Sequence, residues 1–375
     1  MSGDPKEWIA VAALPGLGAA SVKRLWDLGW TPGRLLGGSE LDWQRLGLKS
    51  STINALQQYH AGASRSQVAA QVNQALTWLD NTADASILPL THPEYPTLLK
   101  QIHDPPVILF VRGGLTALSL PQIAIVGSRS ASAAGLRQAA EFARYLAENG
   151  LSTCSGLALG IDAAAHQACV AQQAPTIAVL GTGLDRPYPQ RNLKLAEQIL
   201  ANGGCWVSEL FPGSAPRAAH FPRRNRIISG MSLGVLVVEA ALRSGSLITA
   251  RQAMEQGREV FAIPGSIHNP LSKGCHQLLR EGALLVESAT DIIQPLAPML
   301  GYLAENVTGP APEPDITASL TPAQQAVLAW LGYESLTLDQ LSTSSGLDVE
   351  ELSVCLTELE LLGIIAHAGG VYQRC

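Results

Sequence analysis

The stretch I-A-I-V-G-S-R-S-A-S, from Ile123 to Ser132, decides the fold class. Its first half is a short apolar run that stops at Gly127, and its second half is a polar turn. Helical periodicity follows over Leu136–Glu148, with Gly150 as the stop signal. The same strand–turn–helix unit then recurs twice, as Leu151–Cys154 with Ile161–Ala171 and as Thr176–Leu180 with Leu193–Ala201. Further strands are predicted at Trp206–Glu209, Val235–Glu239, Glu259–Ile263 and Ala283–Glu287. Helices are predicted between them at Arg224–Met231, Leu247–Glu255 and His276–Arg280. Strands alternating with helices predict parallel βαβ units with right-handed crossovers, hence an α/β protein with a doubly wound parallel sheet. The continuous apolar run Val235–Val238 suits a strand buried on both faces. In such sheets ligands bind beyond the carboxyl ends of the strands, which is where the polar motifs of this chain fall.

Outward from that core the texture changes. A chain of 375 residues predicts more than one domain, and 47% hydrophobic with 15% charged residues describes a folded, core-rich protein. Residues 1–85 are helical in pattern. Within them L-P-G-L-G-A-A-S-V-K-R (Leu14–Arg24) reads as a helix–hairpin–helix or a SAM-like helical unit, with Lys23 and Arg24 beside the hairpin. Residues 86–300 hold the βα units. A Pro- and Gly-containing stretch from Pro295 to Pro314 reads as a linker, assigned to 301–316. Residues 317–375 show three helical patterns and then two short β-like runs about a Gly turn, which predicts a winged helix. There is no apolar run of the ~20 residues that span a bilayer, and the N-terminus has no signal-peptide pattern, so a cytoplasmic protein is expected. Six scattered cysteines without a C-x-x-C pair argue against a structural zinc and for buried thiols.

The formal charge of −6 argues against a protein that coats nucleic acid through bulk basicity. The regions differ, however. Residues 1–85 carry 7 basic and 7 acidic residues, residues 86–300 carry 17 and 14, and residues 301–375 carry 1 and 10. A winged helix of that acidity is repelled by a phosphate backbone, so it is expected to contact protein or to regulate.

Three Gly-rich turns end consecutive predicted strands. At Gly127, Ser128 and Arg129, hydroxyls and N–H groups are placed to cradle a phosphate beside a forked cation. The turn lacks the G-x-G-x-x-G spacing of a dinucleotide site. The second turn, S-G-L-A-L-G-I-D-A-A-A-H, contributes Gly156. Its Asp162 and His166 lie one helical turn apart, either ordering the site or forming a helix-surface contact, and the surface contact is favoured for His166. The third, G-T-G-L-D-R-P-Y-P, contributes Gly181 and Gly183. The densest basic stretch is Arg217–Arg226. It places Arg223, Arg224, Asn225 and Arg226 at a helix start, with Phe221 able to stack a base. Ser244 and Gly245 open a further helix and offer more anion-binding N–H groups. Glu239 is expected to pair with Arg224 or Arg226 rather than to act in acid–base catalysis. No phosphate loop ending in G-K-[ST] is present, and no catalytic residue, metal or cofactor is assigned.

Taken in order, I-V-G-S-R, S-G-L-A-x-G-I-D-x-x-A-H, G-T-G-L-D-x-x-Y-P, F-P-x-R-N-R-I-I-S-G, V-V-E-A-x-x-x-S-G-S-L-I-T-A-R and R-E-V-F-A-I-P-G closely resemble the DNA-processing protein A family (DprA, also called Smf). The resemblance covers the middle region almost end to end. It implies an extended Rossmann-like core, a homodimer without established catalytic turnover, binding of single-stranded DNA in natural transformation, and loading of the RecA recombinase. By the same resemblance Gly127, Ser128, Arg129, Phe221, Arg224, Asn225 and Arg226 line the DNA site. The chain departs from the family pattern at Leu159, His220 and Cys275-His276. Arg186 and Arg191 are candidates to replace a cation missing at Leu159. The competing reading is a nucleotide-processing enzyme, a nucleoside-monophosphate glycosidase of the lysine-decarboxylase-like group. Its P-G-G-x-G-T segment followed by Glu is replaced here by R-S-G-S-L-I-T, which disfavours hydrolysis. A duplex-binding regulator acting through the winged helix is disfavoured by that domain's acidity.

Overall fold

The structure, a computed structural model, describes residues 4–62, 66–300, 320–331, 336–345, 347–362, 364–368 and 370–374. The expected linker at 301–316 lies outside them. The chain divides into two compact units, one carrying the N-terminal helices with a large sheet, the other a small sheet with three helices.

The larger unit begins with six helices: α1 (Pro5–Ala12), α2 (Ala19–Asp27), α3 (Pro32–Leu36), α4 (Glu40–Arg45), α5 (Ser50–His60) and α6 (Gln67–Asn81). Sequence signals set their ends. Asp4 caps α1 through the Lys6 N–H with Pro5 in the first turn, and Ser39 with Asp42 forms a capping box on α4. The predicted hairpin joins α1 to α2, with Gly16 at φ +74° and Thr52 Oγ1 donating to the Pro15 carbonyl at 2.7 Å. These helices do not form a separate core. Trp8, Val72 and Trp78 belong to the same buried cluster as Phe110, Ile199 and Trp206, and Trp78 meets Phe110 edge to face at 5.7 Å.

The sheet has nine strands: β1 (Ala85–Pro89), β2 (Ile108–Gly113), β3 (Gln122–Val126), β4 (Ser152–Ser155), β5 (Thr176–Val179), β6 (Cys205–Ser208), β7 (Gly234–Val237), β8 (Glu259–Ala262) and β9 (Leu284–Leu285). Their order is β1-β2-β6-β5-β4-β3-β7-β8-β9, with β6 through β9 parallel throughout. All seven expected strands are present. The sequence reading missed β1 and β2, which pair antiparallel with each other and with β6. The two-residue alternation along β2 sends Ile108 and Phe110 to one face and Leu109 and Val111 to the other, so both faces are covered. The covering helices are α7 (Thr97–Lys100), α8 (Thr116–Ser119), α9 (Ala133–Glu148), α10 (Ile161–Ala171), α11 (Leu193–Ala201), α12 (His220–Met231), α13 (Ser246–Glu255), α14 (Lys273–Arg280) and α15 (Thr290–Leu300). Pro295–Leu300, read as the start of the linker, completes α15.

In the smaller unit α16 (Pro322–Leu331), α17 (Leu338–Ser345) and α18 (Val349–Leu361) pack on the antiparallel sheet β10-β12-β11, formed by Leu336–Thr337, Val371–Arg374 and Ile365–Ala368. Val327, Leu341, Leu352 and Leu359 form its core. This is the winged-helix pattern, with a third short strand that the sequence did not announce.

Candidate nucleic-acid interface

Strand order reverses direction between β3 and β7, because the chain builds outward from β3 to β6 and then crosses back through α12 to β7. The helices flanking a reversal diverge and leave a crevice at the carboxyl ends of the two strands. A cavity of about 820 Å³ lies there, lined among others by Gly127, Ser128, Arg129, Tyr188, Arg217, Phe221, Arg224, Asn225, Arg243, Ser244, Gly245 and Thr249.

Eight of the thirteen predicted site residues therefore line one cavity. Gly156, Gly181 and Gly183 do not, but Gly156 and Gly181 leave room for side chains that do. A Cβ on Gly156 would fall on the Arg224 guanidinium, and one on Gly181 would sit 2.9 Å from the Phe221 ring. Arg223 and Arg226 are also placed elsewhere. Both reach Glu209, Arg223 at 3.0 Å with its own side chain largely exposed, and Arg226 in a buried pair that also meets Asp104 at 3.1 Å. The helix α12 begins at His220, so Arg224 stands in its second turn rather than at its start.

Three N–H groups of the first turn, those of Ser128, Ser130 and Ser132, are committed internally and are not free to cradle phosphate. Ser128 N–H donates to the Glu239 carbonyl at 2.8 Å, and Ser130 N–H donates to Ser128 Oγ at 3.2 Å. The Glu239 carboxylate accepts from Ser132 N–H at 2.9 Å and from Ser132 Oγ at 2.5 Å. An acidic side chain thus already occupies the electropositive end of α9. Glu239 pairs with neither Arg224 nor Arg226. It ties the Arg129 loop to the end of β7.

The cations that line the cavity are arginine side chains. Arg224, only 6% exposed, donates to the Val179 carbonyl and lies beside Asp162. Burial pushes its guanidinium down to about 10, against the opposing pull of Asp162, so it stays charged at neutral pH. Its Nε is buried and has no hydrogen-bond partner among the described residues. Burial pushes the Asp162 carboxyl up, opposed by Arg224 and by the N–H groups of Ala158 and Gly156. Those two N–H groups donate to Asp162 at 3.3 and 3.1 Å. Between them Leu157 is held at φ +58°, a left-handed conformation costly for a non-glycine residue, with its carbonyl accepting from Asn192 at 2.9 Å.

Asp162 and His166 do not pair: Asp162, 6% exposed, lines the cavity beside Arg224, whereas His166 does not line it. His166 is fully buried, and its Nδ1 lies 2.8 Å from Thr176 Oγ1. That hydroxyl gives its own proton to the Thr153 carbonyl, so the imidazole donates. Burial pushes the His166 imidazole down to about 3, and Arg224 adds to the shift.

Above the floor, Arg129 lies over the Phe221 ring at 5.8 Å, and Tyr188 meets the same ring at 5.7 Å. Among the described residues no carboxylate lies within 4.0 Å of the guanidinium groups of Arg129, Arg217 or Arg243. The site set missed Tyr188, Arg217 and Arg243, although Arg217 and Tyr188 belong to the basic stretch and the third turn it was built from. Arg186, offered as a replacement cation, pairs with Asp185 at 3.6 Å, and neither it nor Arg191 lines the cavity. Cys275 is buried and His276 bonds the Gly265 carbonyl, so neither departure reaches the site.

Comparison with known proteins now bears on this geometry. The model of the DNA recombination-mediator protein A family matches residues 86–297, and that of the DprA winged helix domain matches residues 310–370. Protein Smf of Escherichia coli (strain K12) is 44% identical over 303 residues, which is 81% of this chain and 80% of that protein. The DNA processing protein DprA of Streptococcus pneumoniae is 51% identical over 199 residues, 53% of this chain and 70% of that one. The X-ray structure of DNA processing protein A from Streptococcus pneumoniae superposes with a TM-score of 0.66 at 37% identity, covering 78% of this chain and 98% of that one. A structure of DNA processing protein A from Helicobacter pylori, described for its single-stranded DNA binding mode, superposes with a TM-score of 0.52 at 30% identity over 57% of this chain and 96% of that one. With its fold, its motifs and a family match over more than half its length in agreement, this chain belongs to the DNA recombination-mediator protein A family.

Proposed function

We propose that the cavity at the β3–β7 switch point binds single-stranded DNA, and that the protein acts as a recombination mediator that protects incoming strands and loads RecA onto them during natural transformation. The observation that carries the reading is the convergence on one cavity of the charged, nine-tenths-buried Arg224 with Arg129, Arg217 and Arg243, none of the last three within 4.0 Å of a carboxylate among the described residues. Phe221 and Tyr188 beside them supply the aromatic surface on which unstacked bases rest, while the arginines hold the backbone. A duplex keeps its bases stacked inside and leaves those rings unused. The carboxylates at the cavity support a binding role over hydrolysis, since Glu239 is occupied by Ser132, and Asp162 accepts from two N–H groups with the Arg224 charge nearby. The homodimer, the RecA partnership and the cytoplasmic setting follow from the family resemblance. No helix of the described residues is long and apolar enough to cross a membrane.

The test is a titration with single- and double-stranded oligonucleotides at several salt concentrations. Arg129→Ala and Arg224→Ala should each weaken single-strand binding and lower the slope of log affinity against log salt by about 0.7. Unchanged slopes in both variants would remove the site.

A further inference from the structure

A second concavity, of about 640 Å³, opens on the same loop and shares Arg129 and Ser130 with the main cavity. It runs between α9 and α10. Arg137 on α9 and Gln167 on α10 supply its other long polar groups, and Ala140, Ala164 and neighbouring small residues keep its floor low. No Asp or Glu is among its lining residues, and among the described residues no carboxylate lies within 4.0 Å of the Arg137 guanidinium. Glu141, one turn further along α9, does not line the groove. Leu136, 37% exposed, adds an apolar surface beside Arg137.

We propose that this groove is an extension of the binding site, along which a single strand leaving the main cavity passes Arg129 and lays a further phosphate on Arg137. The inference rests on the reading of the main cavity given above. Three features support a polyanion as the occupant. The groove shares Arg129 and Ser130 with the cavity, it carries Arg137, which has no carboxylate within 4.0 Å among the described residues, and no Asp or Glu lines it. A strand needs cations spaced along its path together with a shallow apolar floor for its bases. Arg129 is then the hinge of the path, contacted by strands of any length, and Arg137 is reached only by strands long enough to leave the cavity.

The experiment compares oligothymidylates of about 4 and about 12 nucleotides, lengths within the range of single-strand site sizes, on the full chain and its variants. Arg137→Ala should leave affinity for the short strand unchanged and lower the salt slope for the long strand by about 0.7. That slope change corresponds to about fivefold weaker binding at 0.1 M relative to 1 M salt. Gln167→Glu, which sets a charge on the opposite wall at an exposed position, should act in the same direction and with the same length dependence. Equal effects on both lengths, or no effect on the long strand, overturn the extension. Should Arg129→Ala and Arg224→Ala leave both lengths bound as before, the cavity reading itself fails and the extension falls with it. Light scattering on Arg137→Glu gives the remaining arm. A change of oligomeric mass without length-dependent binding makes the groove an interface between copies of this chain and overturns the proposal.

Discussion

The buried imidazole of His166 makes the stability of the large unit pH-dependent. Its ring is fully enclosed between α10 and the sheet, donating from Nδ1 to Thr176, while Nε2 has no partner. Protonating Nε2 would put a charge into that enclosure, with the Arg224 charge nearby, which is why the folded-state value falls to about 3. In the unfolded chain the ring titrates near its ordinary value of about 6.5. Because the folded value lies below the unfolded one, the unfolded state binds more protons between the two. Stability is therefore complete above pH ~6.5 and is lost as pH falls toward ~3. At pH ~4.5, two units below the unfolded value, the loss is about 3 kcal/mol at ~1.4 kcal/mol per unit. His166→Asn removes the titration while its amide keeps a donor for Thr176. The assay is hydrogen exchange of the β4 and α10 amides at pH ~7 and ~4.5, which reports the opening free energy of that region. Wild type should lose about 3 kcal/mol more than the variant over this interval. The contribution of Asp162, whose carboxyl is pushed up and so acts in the opposite sense, cancels in the comparison. Equal losses in the two proteins, or a His166 resonance titrating near 6.5 in the folded state, would refute the reasoning.

Two further outcomes follow from the loops. Glu239→Ala should destabilise the unit by about 3 kcal/mol, the worth of hydrogen bonds to a buried charged group. It should also weaken single-strand binding by freeing the loop that carries Arg129, with urea midpoints and DNA titration as the two readouts. Gly156→Ala drives a methyl group into the Arg224 guanidinium; it should cost about 1–3 kcal/mol as an overpacked site and reduce strand affinity about as much as Arg224→Ala in the same titration.

The seven parallel strands were legible because a strand buried on both faces must be a short apolar run, and a helix crossing back over the sheet must show helical periodicity between glycine stops. Strands β1 and β2 were harder to read. Ala85–Pro89 is brief and ends in proline, whereas Ile108–Gly113, flanked by prolines and paired glycines, carries a strand signal of its own but lies outside the strand–turn–helix repeat. The N-terminal helices read as a domain of their own, yet Trp78 packs on Phe110, a contact between segments whose proximity no local pattern announces.

The basic stretch shows the division most clearly. By itself the sequence determined that arginines cluster near Phe221 and that Gly-rich turns end the strands. Only the tertiary structure decided which arginines are free. Arg223 and Arg226, three apart on α12, share a face and reach Glu209 at the end of β6, while Arg224, about 100° away around the helix, turns to the end of β5 and Asp162. Likewise the Gly127–Ser132 turn has the composition of a phosphate cradle, but the fold brings Glu239 from the neighbouring strand to take the N–H groups of Ser128 and Ser132. Composition sets which groups a turn possesses. Whether they remain available depends on what the rest of the chain places against them, and that is a property of strand order.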